Sequence, residues 1–259
     1  MAKGIYMTVD GVLRRVSSVY MTVESTLRSV PSGYMTVDGA LRQFHPGVSV
    51  SKLEVGSSLY LGSNGVYHEV EVIYQGNPDA TVYDSSCDGT WVLLKYVALD
   101  QRRWHSSSNN TYEDSEIHAA IDTFIDTLDT HAQAAIKTVK IPYWDGTGSV
   151  GYLSTGADGL STRGFLLSAT EVGLSDAVGD IGVDLGYFTS NSGRIWTVGN
   201  SNLNWWLRSP TNSTTSAYRV NTSGSRSSST VTSTTPYARP ALILSSTATY
   251  DPANLIVSG

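Results

Sequence analysis

The sequence predicts an α+β protein: a run of β-hairpin repeats, then one larger domain of antiparallel strands with at least one amphipathic helix. Three observations predict it. A 14-residue unit recurs three times at the start, apolar residues farther on alternate with period two, and residues 115–139 change to steps of three and four.

The repeats come first. Tyr6, Tyr20 and Tyr34 each open Tyr-Met-Thr-Val followed by an acid (Asp10, Glu24, Asp38), and Leu-Arg follows at Leu13-Arg14, Leu27-Arg28 and Leu41-Arg42. A short alternating strand, a two-residue polar turn (Asp10-Gly11, Glu24-Ser25, Asp38-Gly39) and a return strand make a hairpin. So short a hairpin buries no face alone, so the units are expected to stack on one another or on copies in other chains. Residues 1–45 therefore read as an attachment and oligomerisation segment, closed by His45-Pro46-Gly47, and residues 46–259 as one domain.

In that domain, Leu53, Val55, Leu59 and Leu61, a turn at Ser63-Asn64-Gly65, then Val66, Val70 and Val72 predict two or three antiparallel strands, with another apolar run at 91–99. Ile117, Ile121, Phe124, Ile125, Leu128, Ala132, Ile136 and Val139 mark the helix. Asp114 or Ser115 stands at its cap, Asp122, Asp126 and Asp129 fall on its wet face, and Pro142 lies past its end. Residues 146–164 read as a Gly-rich loop, 165–168 as a short buried strand, 205–210 as an aromatic block and 238–244 as a terminal apolar strand.

Composition excludes several classes. Charged residues are 15% of the chain, which suits strands and loops with an uncharged polar surface. The single cysteine, Cys87, excludes an internal disulfide framework and any multi-cysteine metal site. No apolar run reaches the length of a membrane span, and the start MAKGIYMTVDG lacks a signal-peptide core, so a soluble chain that does not use the Sec route is expected. The net charge is −6, yet no acid lies between Asp184 and Asp251, an interval holding Arg194, Arg208, Arg219, Arg226 and Arg239. Scattered arginines with no lysine after Lys140 make no nucleic-acid stripe.

No metal-protease, nucleophile-elbow, P-loop or dinucleotide motif occurs. The five histidines (His45, His68, His105, His118, His131) form no ligand pair, and Cys87 has no evident activating base. The trios Asp79, Asp84, Asp88 and Asp176, Asp180, Asp184 read as turn carboxylates, since neither matches an EF-hand spacing. No catalytic residue, metal or cofactor is expected.

One stretch stands apart. Of the 27 residues 211–237, sixteen are Ser or Thr, and Ala217, Tyr218, Arg219, Val220, Asn221 and Val231 interrupt them with strand-like spacing. A linker would lack that spacing. Tyr, Ser, Asn and Arg held by a rigid scaffold make an adaptable binding surface, as in antibody paratopes.

The blocks WWLRSP at 205–210 and ARPALIL at 238–244, preceded by Tyr112-Glu113-Asp114-Ser115-Glu116-Ile117 and by Phe165-Leu166-Leu167-Ser168-Ala169-Thr170-Glu171, resemble C-type-lectin-fold variable proteins of diversity-generating retroelements, frequent in phages and prophages. The repeats likewise resemble hairpin repeats of phage structural proteins. The resemblance implies a C-type-lectin-like domain over 46–259 with a variable region at about 200–240, rewritten at adenines of its codons. It implies a non-enzymatic receptor-binding protein of a virion, made in the host cytoplasm and displayed on a tail or capsid fibre. Its partners would be a bacterial surface receptor (protein or glycan), other virion proteins through the repeats, and further copies in a homo-oligomer such as a trimer. Nucleic acid and a membrane span are not among them.

Trp205, Trp206, Leu207, Arg239, Pro240 and Leu242 match the scaffold blocks, which implies packing roles, with Arg208 and Arg239 as hydrogen-bonded structural ions. The expected ligand-binding residues are Asn202, Asn204, Asn212, Ser213, Thr214, Thr215, Tyr218, Arg219, Asn221, Arg226, Ser228, Ser229, Thr230, Thr232, Ser233 and Tyr237. The alternative is a structural virion or surface component with fixed subunit partners.

Overall fold

Alternating apolar residues build most of the molecule from small antiparallel sheets. The computed structural model describes residues 47–251 and 255–259 in full, and the backbone of six strands between residues 6 and 44. Those six pair as three antiparallel hairpins: Tyr6–Val9 with Val12–Arg15, Tyr20–Val23 with Thr26–Ser29, and Gly33–Val37 with Ala40–Phe44. The expected two-residue turns and His45-Pro46 lie outside the described residues.

The largest sheet has five strands in the order Gly164–Leu166, Pro240–Leu244, Gly89–Leu94, Val66–Gly76, Ser58–Ser63. Two of its three inner strands, Gly89–Leu94 and Pro240–Leu244, are buried at every position, so they read as continuous apolar runs rather than alternating ones. Asn64 (φ 49°) and Gly65 (φ 86°) both have positive φ, as a two-residue hairpin turn requires between Ser58–Ser63 and Val66–Gly76. Trp91 is fully buried within this sheet, and Trp104, Trp196, Trp205 and Trp206, fully or almost fully buried, carry the core beyond it.

The expected α+β, C-type-lectin-like class with its amphipathic helix is corrected here: the chain is mainly β. Helix among the described residues, apart from single 3₁₀ turns, is confined to α1 (Glu116–Asp126), α2 (Thr130–Ala135) and the four-residue α3 (Asn191–Arg194). Ser115 caps α1, its Oγ accepting from the His118 N–H at 3.1 Å. The apolar steps that suggest one helix over 115–139 run across a break. Asp129 donates its N–H to Gly62 O at 2.8 Å and accepts from Asn64 N at 2.8 Å, which pulls the chain onto the neighbouring hairpin. By Ile136 the backbone is extended and bridges Leu244, and Val139–Ile141 continues as a strand. Three- and four-residue spacing is thus met by two short helices, the turn between them and a strand, all burying apolar residues.

The Gly-rich 146–164 segment is also corrected. It forms most of a hairpin, Tyr143–Thr147 with Val150–Ser154, and then the strand Leu160–Thr162 against Val139–Ile141. No helix among the described residues is long and apolar enough to cross a membrane.

Candidate functional site

The Ser/Thr segment is carried by a three-stranded sheet in the order Trp205–Pro210, Ser216–Val220, Arg226–Thr230. The first strand is buried throughout and fixes the sheet to the core. Trp206 donates its indole N–H to Arg102 O at 3.0 Å and Trp205 donates to Arg194 O at 3.2 Å, so each bulky ring is satisfied at its polar edge.

Beneath this strand lies a polar knot. Arg208 donates from both terminal nitrogens to the two Glu171 oxygens at 2.5 Å, and both side chains are wholly buried. Tyr83 donates to Glu171 Oε1 at 2.7 Å, Ser168 N donates to Oε2 at 3.0 Å, and Arg208 also reaches Pro142 O and Leu166 O. Burial works against the Arg208 charge, but Glu171 beside it holds the guanidinium more firmly protonated than usual. Burial and the same carboxylate push the Tyr83 phenol well up.

Two other arginines of the acid-free interval, Arg194 and Arg239, are spent similarly. Arg194 donates to Gly224 O, Val172 O, Phe188 O and Asn191 Oδ1. Arg239 donates to Leu94 O and stacks on Trp196 and Trp205, and burial pulls its guanidinium down to about 10. Arg208 and Arg239 are hydrogen-bonded structural ions, and the cationic character of this stretch is largely internal.

The edge strand Arg226–Thr230 alternates between exposed (Arg226, Ser228, Thr230) and half-buried (Ser227, Ser229). Tyr218 stands opposite Ser228, with the Arg226 guanidinium 4.6 Å from its ring centre, and Arg226 reaches on to Ser175 O and Oγ. The turn at Gly224 (φ 77°) lies so close to Asn191 that a Cβ would meet its carbonyl.

None of the sixteen sequence-predicted residues is buried. The structure divides them, however. Ser228 and Thr230 stand beside Tyr218 and Arg226 on one face, and Asn212, Ser213, Thr214, Thr215, Thr232 and Ser233 lie at the Ser216–Thr230 end of the hairpin. Asn202, Asn204 and Asn221 lie toward its other end and serve the scaffold. Asn202 donates to Thr222 O, Asn204 accepts from Arg219, and Asn221 Oδ1 accepts from Ser223 N and Ser225 N. Burial lowers the Arg219 pKa. Ser229 pairs with Ala217 across the sheet. Tyr237 packs edge-on against Trp196, so its exposed area is partial.

Asn110 is a residue that sequence reasoning missed. Fully buried, it donates from Nδ2 to Thr211 O (3.2 Å), Ser213 O (2.9 Å) and Ser216 O (2.8 Å), and its Oδ1 accepts from Gly148 N at 2.9 Å. It ties the 211–216 loop to the turn of the 143–154 hairpin. No local signal marks it, because its partners lie 38 residues away at Gly148 and roughly a hundred away at Thr211, Ser213 and Ser216.

Cys87 and several of the aspartates that the sequence offered are held in structural hydrogen bonds. Cys87 is buried, donates to Lys140 O at 3.2 Å, and burial pushes its thiol up to about 12. Asp79 and Asp84 accept from the backbone two residues on, at Thr81 and Ser86. Asp176 Oδ2 accepts from Thr170 and Ile181. Among the described residues no three His, Cys, Asp or Glu side chains are placed to hold a metal.

A family model described as "Domain of unknown function (DUF6273)" matches residues 88–246, a span that contains Arg208 and Glu171 of the polar knot, Asn110 and the whole Ser/Thr segment. No curated protein and no solved structure matches the chain.

Proposed function

The chain belongs to the DUF6273 family, a domain of unknown function, and we propose from its own residues that it is a non-enzymatic recognition protein presenting the 211–237 segment to a target. One observation carries the reading: between two strands buried at every position, the candidate residues stay at the surface on a hairpin whose backbone is fixed from below. Rigid backbone under small hydroxyl side chains supplies adaptable hydrogen bonding at low ordering cost. The contact surface is centred on Ser228, Thr230, Tyr218 and Arg226, with the 212–215 loop beside it. Asn202, Asn204 and Asn221 act as its supports.

The residue alphabet of 211–237 and the hairpin repeats further support a phage or prophage setting. There the segment is diversified by a retroelement, the target is a bacterial surface receptor, and the repeats attach the chain to a virion and to its own copies. Multiple copies would raise weak single-site affinity by avidity.

The test is binding of the labelled full chain to a panel of intact bacterial cells, alongside a Ser228→Arg, Thr230→Arg variant. The reading predicts at least one binding strain, with binding lost in the variant at an unchanged melting temperature. Equal binding by both proteins, or binding by neither, overturns it. Adjacent DNA encoding a reverse transcriptase and a near-copy of the 200–244 segment, mismatched at adenines, would establish the diversification.

A further inference from the structure

The 143–154 hairpin carries three of the exposed large apolar side chains of the molecule: Val150 (78% exposed), Tyr152 (64%) and Leu153 (37%). We propose that its outer strand, Val150–Ser154, is a self-association edge that pairs antiparallel with the same strand of a second copy, about a twofold axis through Tyr152. The inference is independent of what the Ser/Thr surface binds.

The backbone supplies the first argument. Thr147 faces Val150 and Asp145 faces Tyr152 across a two-residue turn, Gly148-Ser149, in which Gly148 has φ 56°. In such a hairpin the pair flanking the turn exchanges both hydrogen bonds, and bonded pairs then alternate with unbonded ones. Gly151 and Leu153 therefore turn their N–H and C=O groups outward, away from Tyr143–Thr147. Among the described residues no strand pairs with this edge and no backbone group bonds to those two residues.

The side chains supply the second. Exposed edges are ordinarily blunted with lysine, proline or inward charge. Residues 146–154 contain no charged residue and no proline. A chain of net charge −6 repels its own copies over most of its surface, whereas two Val150–Ser154 strands bring no charge directly against each other, the nearest carboxylate, Asp145, lying on the far strand of the hairpin across from Tyr152.

The geometry is also self-complementary. The two outward-facing residues are separated by one position, so an axis through Tyr152 sets Gly151 against the partner's Leu153 and Leu153 against the partner's Gly151. Four backbone hydrogen bonds form, Leu153 covers the space that glycine leaves, and the two Tyr152 rings meet on one face. An isologous contact of this kind closes as a dimer. An edge this short buries less than the ~1,200–2,000 Å² of stable complexes, so free copies pair weakly and copies already held together pair well.

Pairing has a consequence for the display surface. A Cβ on Gly148 would lie 2.7 Å from Asn212 O and 3.2 Å from Thr214 N, so the hairpin turn abuts the 211–215 loop. The pair would set two such loops at opposite ends of one four-stranded sheet, roughly 25 Å apart by strand rise.

Cysteine cross-linking of the full chain tests the axis. Residue 152 faces itself at a Cα separation of about 4.5 Å, inside disulfide range, whereas residue 150 lies roughly 14 Å from its counterpart. Tyr152→Cys is expected to give a covalent dimer on mild oxidation, read on a non-reducing gel, and Val150→Cys to stay at background. Cys87 is buried and stays silent, as the unsubstituted chain will report. If both variants cross-link alike, or neither does, the pairing is overturned.

Discussion

Two polar regions lie on opposite sides of the strand Trp205–Pro210, and they use their hydrogen-bonding groups in opposite ways. In the knot of Arg208, Glu171 and Tyr83 the acceptors and donors are bonded to one another, and the Arg208 and Glu171 side chains are wholly buried. On the strand Arg226–Thr230, the Arg226, Ser228 and Thr230 side chains stand in solvent. The knot holds charges that would be costly unpaired; the outer strand holds hydroxyls that cost little to expose and remain available to a partner. Residue type alone does not separate the two roles. Arg208 and Arg226 belong to the same acid-free stretch, yet one fixes the fold and the other lies at the surface against Tyr218.

The largest expected effect comes from breaking the knot. Glu171→Gln leaves the wholly buried Arg208 charge without its counter-ion, and removing one partner of a buried pair typically costs about 3–5 kcal/mol. Denaturant unfolding should show a loss of that order. A loss below about 1 kcal/mol would mean that water reaches the site and that the contrast with the surface is overstated.

How much of this was legible in the sequence follows from the range of the interactions involved. Period-two alternation and the Asn64-Gly65 turn are local, and they locate Ser58–Ser63 and Val66–Gly76 well. The exposure of 211–237 is local too, since hydroxyl-rich strands that alternate cannot fill a core. The α+β class failed because apolar spacing over 115–139 specifies burial, whereas the break at Asp129 is set by contacts with Gly62 and Asn64. The Gly-rich 146–164 segment hid a hairpin, because glycine at Gly146, Gly148 and Gly151 serves turn geometry and close backbone approach as well as loops. Glu171 and Asn110 gave no signal: their partners lie 37 residues away at Arg208 and about a hundred away at Thr211 to Ser216.

Asn110 marks where the two regimes meet. Asn110→Ala strips three carbonyls and the Gly148 N–H of their buried partner, which costs about 1–3 kcal/mol. The loss should be uneven. Amide exchange at Gly148 and across 211–216 should accelerate strongly, while the strands Gly89–Leu94 and Pro240–Leu244 keep their protection. Uniform acceleration would place Asn110 in the global core rather than at the root of the display loop.

A smaller effect separates the wholly buried, ion-paired Glu171 from Asp176, a half-buried carboxylate with hydrogen bonds but no counter-ion. Burial raises the Asp176 pKa, against the pull of hydrogen bonds from Ser209, Thr170 and Ile181. A carboxyl whose folded pKa is raised ionises more readily in the unfolded chain, so its cost to the fold sets in as the pH rises through the ordinary aspartate value and is complete above its folded pKa. Asp176→Asn should therefore raise the melting temperature at pH 7, and its advantage should vanish as the pH falls below the ordinary aspartate value of 3.8. An advantage independent of pH would point to packing rather than charge.

The smallest expected effect on stability is the most informative about the surface. Ser228 and Thr230 are exposed, their backbone belongs to an edge strand, and no structural hydrogen bond depends on either hydroxyl among the described residues. Ser228→Ala and Thr230→Ala should each change stability by no more than about 0.5 kcal/mol, as surface substitutions away from special features do. Tyr218→Ala should cost more, because that ring is half-buried and carries the Arg226 stack. If the two hydroxyl variants proved as costly as Tyr218→Ala, the strand Arg226–Thr230 would be working as scaffold, and the division between a bonded interior and an available surface would have to be drawn one strand farther out.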